Sequence, residues 1–357
     1  MSNFPTTPDE LTTQWLGKQL RLPVTDLVVD GFAEGSGVIG QVVRARYKHA
    51  AADGEQGGPQ EGSVIVKFPS PAEENRAVAA SYDMYAKEVR FYRDFAADLP
   101  VRTPNCYFAD FDPQTQAFVL VLEDLKGFRI GDQVAGASLT DAQTAVRAIA
   151  RMHAATWGGD LSRLLSHNNP AQHAGMVAGF ELGWPVVLAE MPDLIPQAAR
   201  DSAARMPANV QGLLTQMTSG PQCLVHADMR LDNMFFAAEG ERGEVALIDW
   251  QSICSSCGEQ DLAYFITQSL SPELRRRHAA ELIESYHSEL CAAGVTGHTI
   301  EACQARYKAA AVYLMCYAVV IAGTLDLGNE RGKQLGRALL GRCLSALDDL
   351  GAFELLS

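Results

Sequence analysis

Basic residues are scarce in this chain. Its 357 residues hold 29 Lys and Arg against 43 Asp and Glu, a formal charge of −14 and a pI near 5.0. Binding a phosphate backbone takes clustered Lys and Arg, so nucleic acid is excluded as a main partner. A segment that spans a bilayer is also missing: the apolar run at 309–324 stops short of the roughly 20 residues required and carries Tyr313, Cys316 and Tyr317. It reads as a buried helix. The start, MSNFPTTPDE, shows no basic segment followed by an apolar core, and a cytoplasmic chain is expected. Eight cysteines (106, 223, 254, 257, 291, 303, 316 and 343) lack the spacing of a disulfide scaffold, which fits a reducing compartment. Cys254-Ser-Ser-Cys257 has neither a second pair nor a His beside it in sequence, and reads as a structural loop. Repeats and low-complexity tracts are absent.

The apolar content, 47% over this length, is enough for two lobes. Chemistry is concentrated at 223–251, CLVHADMRLDNMFFAAEGERGEVALIDWQ. Apolar runs at 223–225 and 234–236 read as short strands that hold a polar loop at both ends, and 245–248 reads as a third strand ending in Asp249. Phosphoryl transfer needs a carboxylate to orient an attacking hydroxyl and oxygen ligands for Mg²⁺ on the nucleotide phosphates. Asp228, Asn233 and Asp249 suit those roles. The Asp-x-x-x-x-Asn spacing, followed by an Asp at the end of the next strand pair, is that of the kinase catalytic loop and its metal-binding Asp. His226 precedes Asp228 by two, and Arg230 follows it by two, where a cation can meet the transferred phosphoryl group.

His226-x-Asp228-x-Arg230-x-Asp232-Asn233 with Ile248-Asp249-Trp250-Gln251 resembles the aminoglycoside phosphotransferase and choline kinase superfamily, most closely its ecdysteroid kinase-like branch. Gly258-Glu-Gln-Asp261-Leu-Ala-Tyr-Phe265 extends the likeness, and the resemblance implies that Asp261 steadies the catalytic loop. It also implies an α+β, two-lobed protein kinase-like fold. Residues 1–125 would form a nucleotide-binding lobe with an antiparallel sheet and one main helix. Residues 126–357 would form a larger, mostly helical lobe carrying the catalytic loop and substrate pocket.

Along the first lobe, 12–20 has the spacing of a short amphipathic helix. Gly35-Ser36-Gly37 makes a tight turn between apolar runs, where backbone amides can approach phosphate oxygens. Lys67 ends the strand 63–68, the place from which the kinase template holds the α and β phosphates with a Glu from the following helix. That helix is read over 81–95, with Glu88 the favoured partner and Glu73 and Glu74 as rivals. Strand 116–122 runs into Glu123-Asp124-Leu125, and in the related kinases the chain then crosses between lobes. Glu123 and Leu125 therefore mark where backbone groups would meet the adenine edge.

The second lobe reads as helical from 139 onward. His153, in the helix 141–157, reads as a core or interlobe histidine without a partner. The segment 158–220 is apolar in patches, Met176-Val-Ala-Gly-Phe180 and Trp184-Pro-Val-Val-Leu188, in a region that helps form the substrate pocket of related kinases. Only eleven residues separate Asp249 from Asp261, too few for the peptide-docking segment of protein kinases, so a small acceptor is expected. The expectation is an ATP- and Mg²⁺-dependent transfer to the hydroxyl of a hydrophobic alcohol or steroid-like metabolite. Hydroxyacyl-CoA kinase and aminoglycoside O-phosphotransferase remain as alternatives, with a nucleotide-binding pseudokinase further off. A metal-dependent hydrolase using His226, Asp228 and Asp232 leaves Lys67 and Asn233 unexplained.

Overall fold

Period-two burial along valine-rich segments builds the first sheet. In the computed structural model, which describes residues 3–31, 39–50, 59–237, 245–325 and 330–356, the chain divides into two units. One contains the chain up to Asp98, Thr103–Gly127 and Asp249–Gln251; the other contains Leu99–Arg102, Phe128–Ile248 and everything from Ser252 onward. The Gly35 to Gly37 turn lies outside the described residues.

In the first unit, α1 (Thr13–Leu20) starts where Thr12 Oγ1 accepts the Trp15 N–H at 3.2 Å. Strands β1 (Val24–Gly31), β2 (Gly40–His49), β3 (Gln60–Pro69), β4 (Cys106–Asp112) and β5 (Ala117–Glu123) form one antiparallel sheet in the order β1-β2-β3-β5-β4. Val43, Ala45, Val64, Val66 and Phe68 point to one face and pack with Leu16 and Phe4. Between β3 and β4 lie α2 (Glu73–Ser81) and α3 (Met84–Asp94). The single helix read over 81–95 is thus shorter, and another precedes it. Asp83 explains the break, because its φ of 53° is left-handed and cannot continue an α-helix.

The second unit opens with the two-residue strand β6 (Arg129–Ile130) and continues in α4 (Leu139–Thr156), α5 (Pro170–Glu190), α6 (Gln197–Ser202) and α7 (Met206–Thr218). Three short strands follow, β7 (Cys223–Val225), β8 (Met234–Phe236) and β9 (Val245–Leu247), then β10 (Cys254–Ser256). Helices α8 (Glu259–Ser269), α9 (Pro272–Ala292), α10 (Ile300–Thr324) and α11 (Glu330–Asp349) complete it. β7 pairs with β10, and β8 lies between β6 and β9, so residues 226–233 form a loop tethered to two different small sheets.

Helix α10 begins before the apolar run that marks it in sequence, and its 25 residues are long and apolar enough to cross a membrane. Its length is used otherwise: Ala309, Ala310, Ala311, Val312, Tyr313, Leu314, Met315 and Cys316 are all fully buried, and it packs on α5, α7, α8 and α11. The apolar patches of α5 face the same way, with Met176, Phe180, Trp184 and Val187 buried. They are core, so their apolar character is explained by helix packing without a ligand. Two glycines let these helices meet. A Cβ on Gly323 would stand 2.5 Å from the Gly183 carbonyl oxygen, and one on Gly183 would stand 2.8 Å from the Val319 carbonyl oxygen. Replacing Gly323→Ala forces the backbones apart, and chemical denaturation should show a loss of about 1–3 kcal/mol despite alanine's better helix propensity.

Candidate active site

Within the first unit a single cation is held by two acids. Lys67, on β3, places Nζ 2.7 Å from Glu88 Oε1 and 2.9 Å from Asp249 Oδ1. Glu88 comes from the buried side of α3 and is 1% exposed, whereas Glu73 and Glu74 sit exposed on α2. Burial alone would lower the Lys67 ammonium, but the charges of Asp249 and Glu88 outweigh it and hold the group above its ordinary value. Burial pushes the Glu88 carboxyl up against the opposing pull of Lys67. Asp249 itself has a φ of 66°, a strained conformation for a residue with a side chain. Its neighbour Trp250, fully buried, stacks on Phe91 of α3 at 3.7 Å and 6° and so keeps that turn in place.

Glu123 ends β5 with both its backbone and its side chain engaged: its N–H donates to the Asn105 carbonyl at 2.9 Å and its Oε2 accepts the Asn105 N–H at 3.0 Å. Leu125 is 8% exposed, two residues further on. Between them Asp124 accepts from Ser63 Oγ at 2.6 Å and pairs with Arg44 at 2.9 Å, which pins the chain as it leaves the sheet.

In the second unit the loop 226–233 is held from below by a fully buried acid. Asp261, in the first turn of α8, accepts the His226 N–H on Oδ2 at 2.7 Å and the Ala227 N–H on Oδ1 at 2.8 Å. This double acceptance holds Ala227 at a φ of 63°. His153 proves to have two partners, not none. One ring nitrogen lies 3.1 Å from Asp261 Oδ2 and the other 2.9 Å from the Tyr286 hydroxyl. His226 Nε2 lies 2.8 Å from the Ile248 carbonyl oxygen, which can only accept, so Nε2 carries the proton and Nδ1 accepts the Asp228 N–H at 3.3 Å.

The loop's own side chains converge on Asp228. Asn233 Nδ2 donates to the Asp228 carbonyl oxygen at 2.9 Å and to Oδ2 at 3.0 Å, and Arg230 Nε lies 3.4 Å from the same Oδ2. Because the amide nitrogen of Asn233 is engaged, its oxygen is the atom it can offer to a cation. Tyr264 of α8 is 1% exposed, and burial pushes its hydroxyl well up, reinforced by the neighbouring charge of Asp228. The ring of Tyr317 stands 6.4 Å from Tyr264 and 5.9 Å from Tyr313, and Gln172 Nε2 donates to the hydroxyls of both Tyr313 and Tyr317.

Three residues of this arrangement escape sequence reasoning: Gln133, His153 and Tyr264. Gln133, fully buried, donates its N–H to Asp232 Oδ1 at 3.0 Å and its side-chain amide to the Gln268 carbonyl at 2.8 Å, while its Oε1 accepts the Leu231 N–H at 2.7 Å. A lone Gln in a polar loop carries no signal that would have marked it. The Cys254-x-x-Cys257 pair does meet a histidine, since His167 Nδ1 lies 3.3 Å from Cys254 Sγ, brought there by the fold and not by sequence proximity.

A sequence profile of the phosphotransferase enzyme family matches residues 54–295, and the chain belongs to that family. It is therefore a phosphotransferase. Curated proteins give no match. Among solved structures, the GDP complex of wild-type aminoglycoside 2'-phosphotransferase-IIIa is similar with 14% identity over 94% of this chain and 98% of that one, at a TM-score of 0.52. A mutant of that enzyme, also with GDP, gives 14%, 96%, 98% and 0.51. Choline kinase LicA from Streptococcus pneumoniae gives 15%, 91%, 98% and 0.46. The α+β, kinase-like fold expected from the sequence is therefore the fold observed.

Replacing Gln133→Leu removes the acceptor of the buried Leu231 N–H, a loss of about 1–3 kcal/mol. Hydrogen exchange should then speed up in the peptide spanning 228–233 well before the helices of the second unit open.

Proposed function

We propose that this phosphotransferase transfers the γ-phosphoryl group of ATP, with Mg²⁺, to the hydroxyl of a small metabolite with an apolar body. The observation that carries this reading is Lys67 bound by both Glu88 and Asp249. An ammonium so held keeps its charge and its aim, which is what neutralising phosphate oxygens requires. Glu88 is the positioning member of that set. Asp249 and Asn233 are the oxygen ligands for the cation; the fit of Asn233 rests on its amide nitrogen being occupied by Asp228. The nucleotide supplies the phosphoryl group and the cation offsets its charge. Asp228 accepts a hydrogen bond from the acceptor hydroxyl and orients its oxygen, and Arg230 stands beside it to meet negative charge. Backbone groups near Glu123 and Leu125 serve the base, and Gly35, Ser36 and Gly37 are assigned to the phosphates from the sequence alone.

The apolar α5 patches no longer argue for a hydrophobic acceptor, and Tyr264 and Tyr313, both fully buried, are core like them, so the hydrophobic acceptor rests on the sequence resemblance. That resemblance favours an acceptor of the ecdysteroid kinase-like branch over an aminoglycoside, whose several ammonium groups call for clustered carboxylates. Hydroxyacyl-CoA stays in competition. The test is phosphate transfer from ATP or GTP, with Mg²⁺, across sterols, simple alcohols, hydroxyacyl-CoAs, choline and aminoglycosides. Asp228→Asn should lower turnover by about 10²–10⁴-fold and leave nucleotide affinity unchanged. A variant that kept its rate would remove Asp228 from the mechanism, and nucleotide binding without transfer to any acceptor would favour the pseudokinase.

A further inference from the structure

Behind Asp261, on the same first turn of α8, lies a donor set that phosphoryl transfer does not use. Glu259 of α8, His298 of the α9–α10 connection and Cys303 of the first turn of α10 each offer a ligand atom, and these atoms lie within 4.8 Å of one another. Glu259 and Cys303 are fully buried and His298 is 8% exposed. His298 Nε2 stands 2.6 Å from Glu259 Oε1. The second carboxylate oxygen, Glu259 Oε2, is buried with no hydrogen-bond partner among the described residues. Within the cluster this carboxylate has only the His298 imidazole and the Cys303 thiol to offset its burial, and both are themselves metal-ligating groups.

We propose that Glu259, His298 and Cys303 bind a zinc ion that ties the start of α8 to the start of α10. The donor chemistry selects the metal. Mg²⁺ and Ca²⁺ take oxygen ligands, whereas one imidazole nitrogen, one sulfur and one carboxylate suit a borderline-soft divalent ion in tetrahedral coordination. The charges balance: the Cys303 thiol releases its proton to solvent on binding, and one thiolate with one carboxylate cancels the 2+ ion, leaving a neutral buried centre. Glu259 Oε2 fills the fourth position, or a water does. His287 Nε2 fixes the loop that presents His298 by bonding the His298 carbonyl oxygen at 2.8 Å, and the Trp157 ring lies 4.9 Å from the imidazole.

The experiment uses the full chain without a polyhistidine tag, exposed to zinc, dialysed free of excess and assayed by mass spectrometry of the metal. About one zinc per chain is expected. His298→Ala and Cys303→Ser should each lower retention by about 10-fold or more, and Cys257→Ser should not. Titrating the wild type with Co²⁺ gives a second reading that needs no variant to fold: a thiolate-to-cobalt charge-transfer band should grow and saturate. Wild-type chain that holds no zinc and shows no such band would overturn the proposal, as would full zinc retention in the His298→Ala, Cys303→Ser double variant. In either case the set would be a hydrogen-bonded Glu259–His298 pair beside a thiol.

Discussion

A fully buried carboxylate on two successive backbone N–H groups is the constraint from which the second unit's chemistry follows. Asp261 leaves the His226 and Ala227 amides no alternative acceptor, and Ala227 stays in a left-handed conformation that a non-glycine residue does not adopt unaided. That turn decides where Asp228 emerges. The acid is itself oriented by His153, which in turn meets the Tyr286 hydroxyl, so α4, α8 and α9 all bear on one loop. From the other side, Gln133 takes the Leu231 N–H and gives its own to Asp232. A loop clamped at 226–227 and again at 231–232 has little freedom left for the residues between. Such rigidity makes orientation of a reacting hydroxyl effective, because little ordering entropy remains to be lost when substrate binds.

Electrostatics plays the corresponding part in the first unit. Lys67, Glu88 and Asp249 bring one positive and two negative charges together where solvent is largely absent. Burial works against the charges on Lys67 and Glu88, and the attraction between them opposes it. The sum is one negative charge in excess. A group with that formal excess suits a further cation, and the second oxygen of Asp249 accepts from the amide of Gln251 at 3.3 Å. Covalent continuity links the two arrangements: the carbonyl bonded by His226 belongs to Ile248, and Asp249 is the next residue.

How much of this could be read from the sequence depended on the range of each interaction. Short strands flanking a polar loop, the Asp-x-x-x-x-Asn spacing and the helices from 259 onward are local patterns, and they were legible because neighbouring residues carry them. Lys67 and Glu88 were legible as a pair only through the template's order along the chain. His153 was misread for the opposite reason. Its partners, Asp261 and Tyr286, lie 108 and 133 residues away, and no local period announces a buried hydrogen-bond chain. The α5 patches were misread as pocket lining because an apolar run has the same composition whether it meets a ligand or another helix. The break at Asp83 was invisible because Asp is one of the few residues that enters the left-handed region without advertising it as glycine does.

The first turn of α8 is therefore asked to do two things. Asp261 faces the catalytic loop, and Glu259, two residues earlier, faces His298 and Cys303. Residues two apart on a helix point to opposite sides, so one short turn serves both without competition. The cations concerned are also of different kinds. The cation proposed at Asp249 would be hard and would come and go with the nucleotide, while the donor set at Glu259 is mixed and buried. A fixed ion at the base of α8 would hold Asp261 at constant height beneath the loop, whatever the nucleotide is doing.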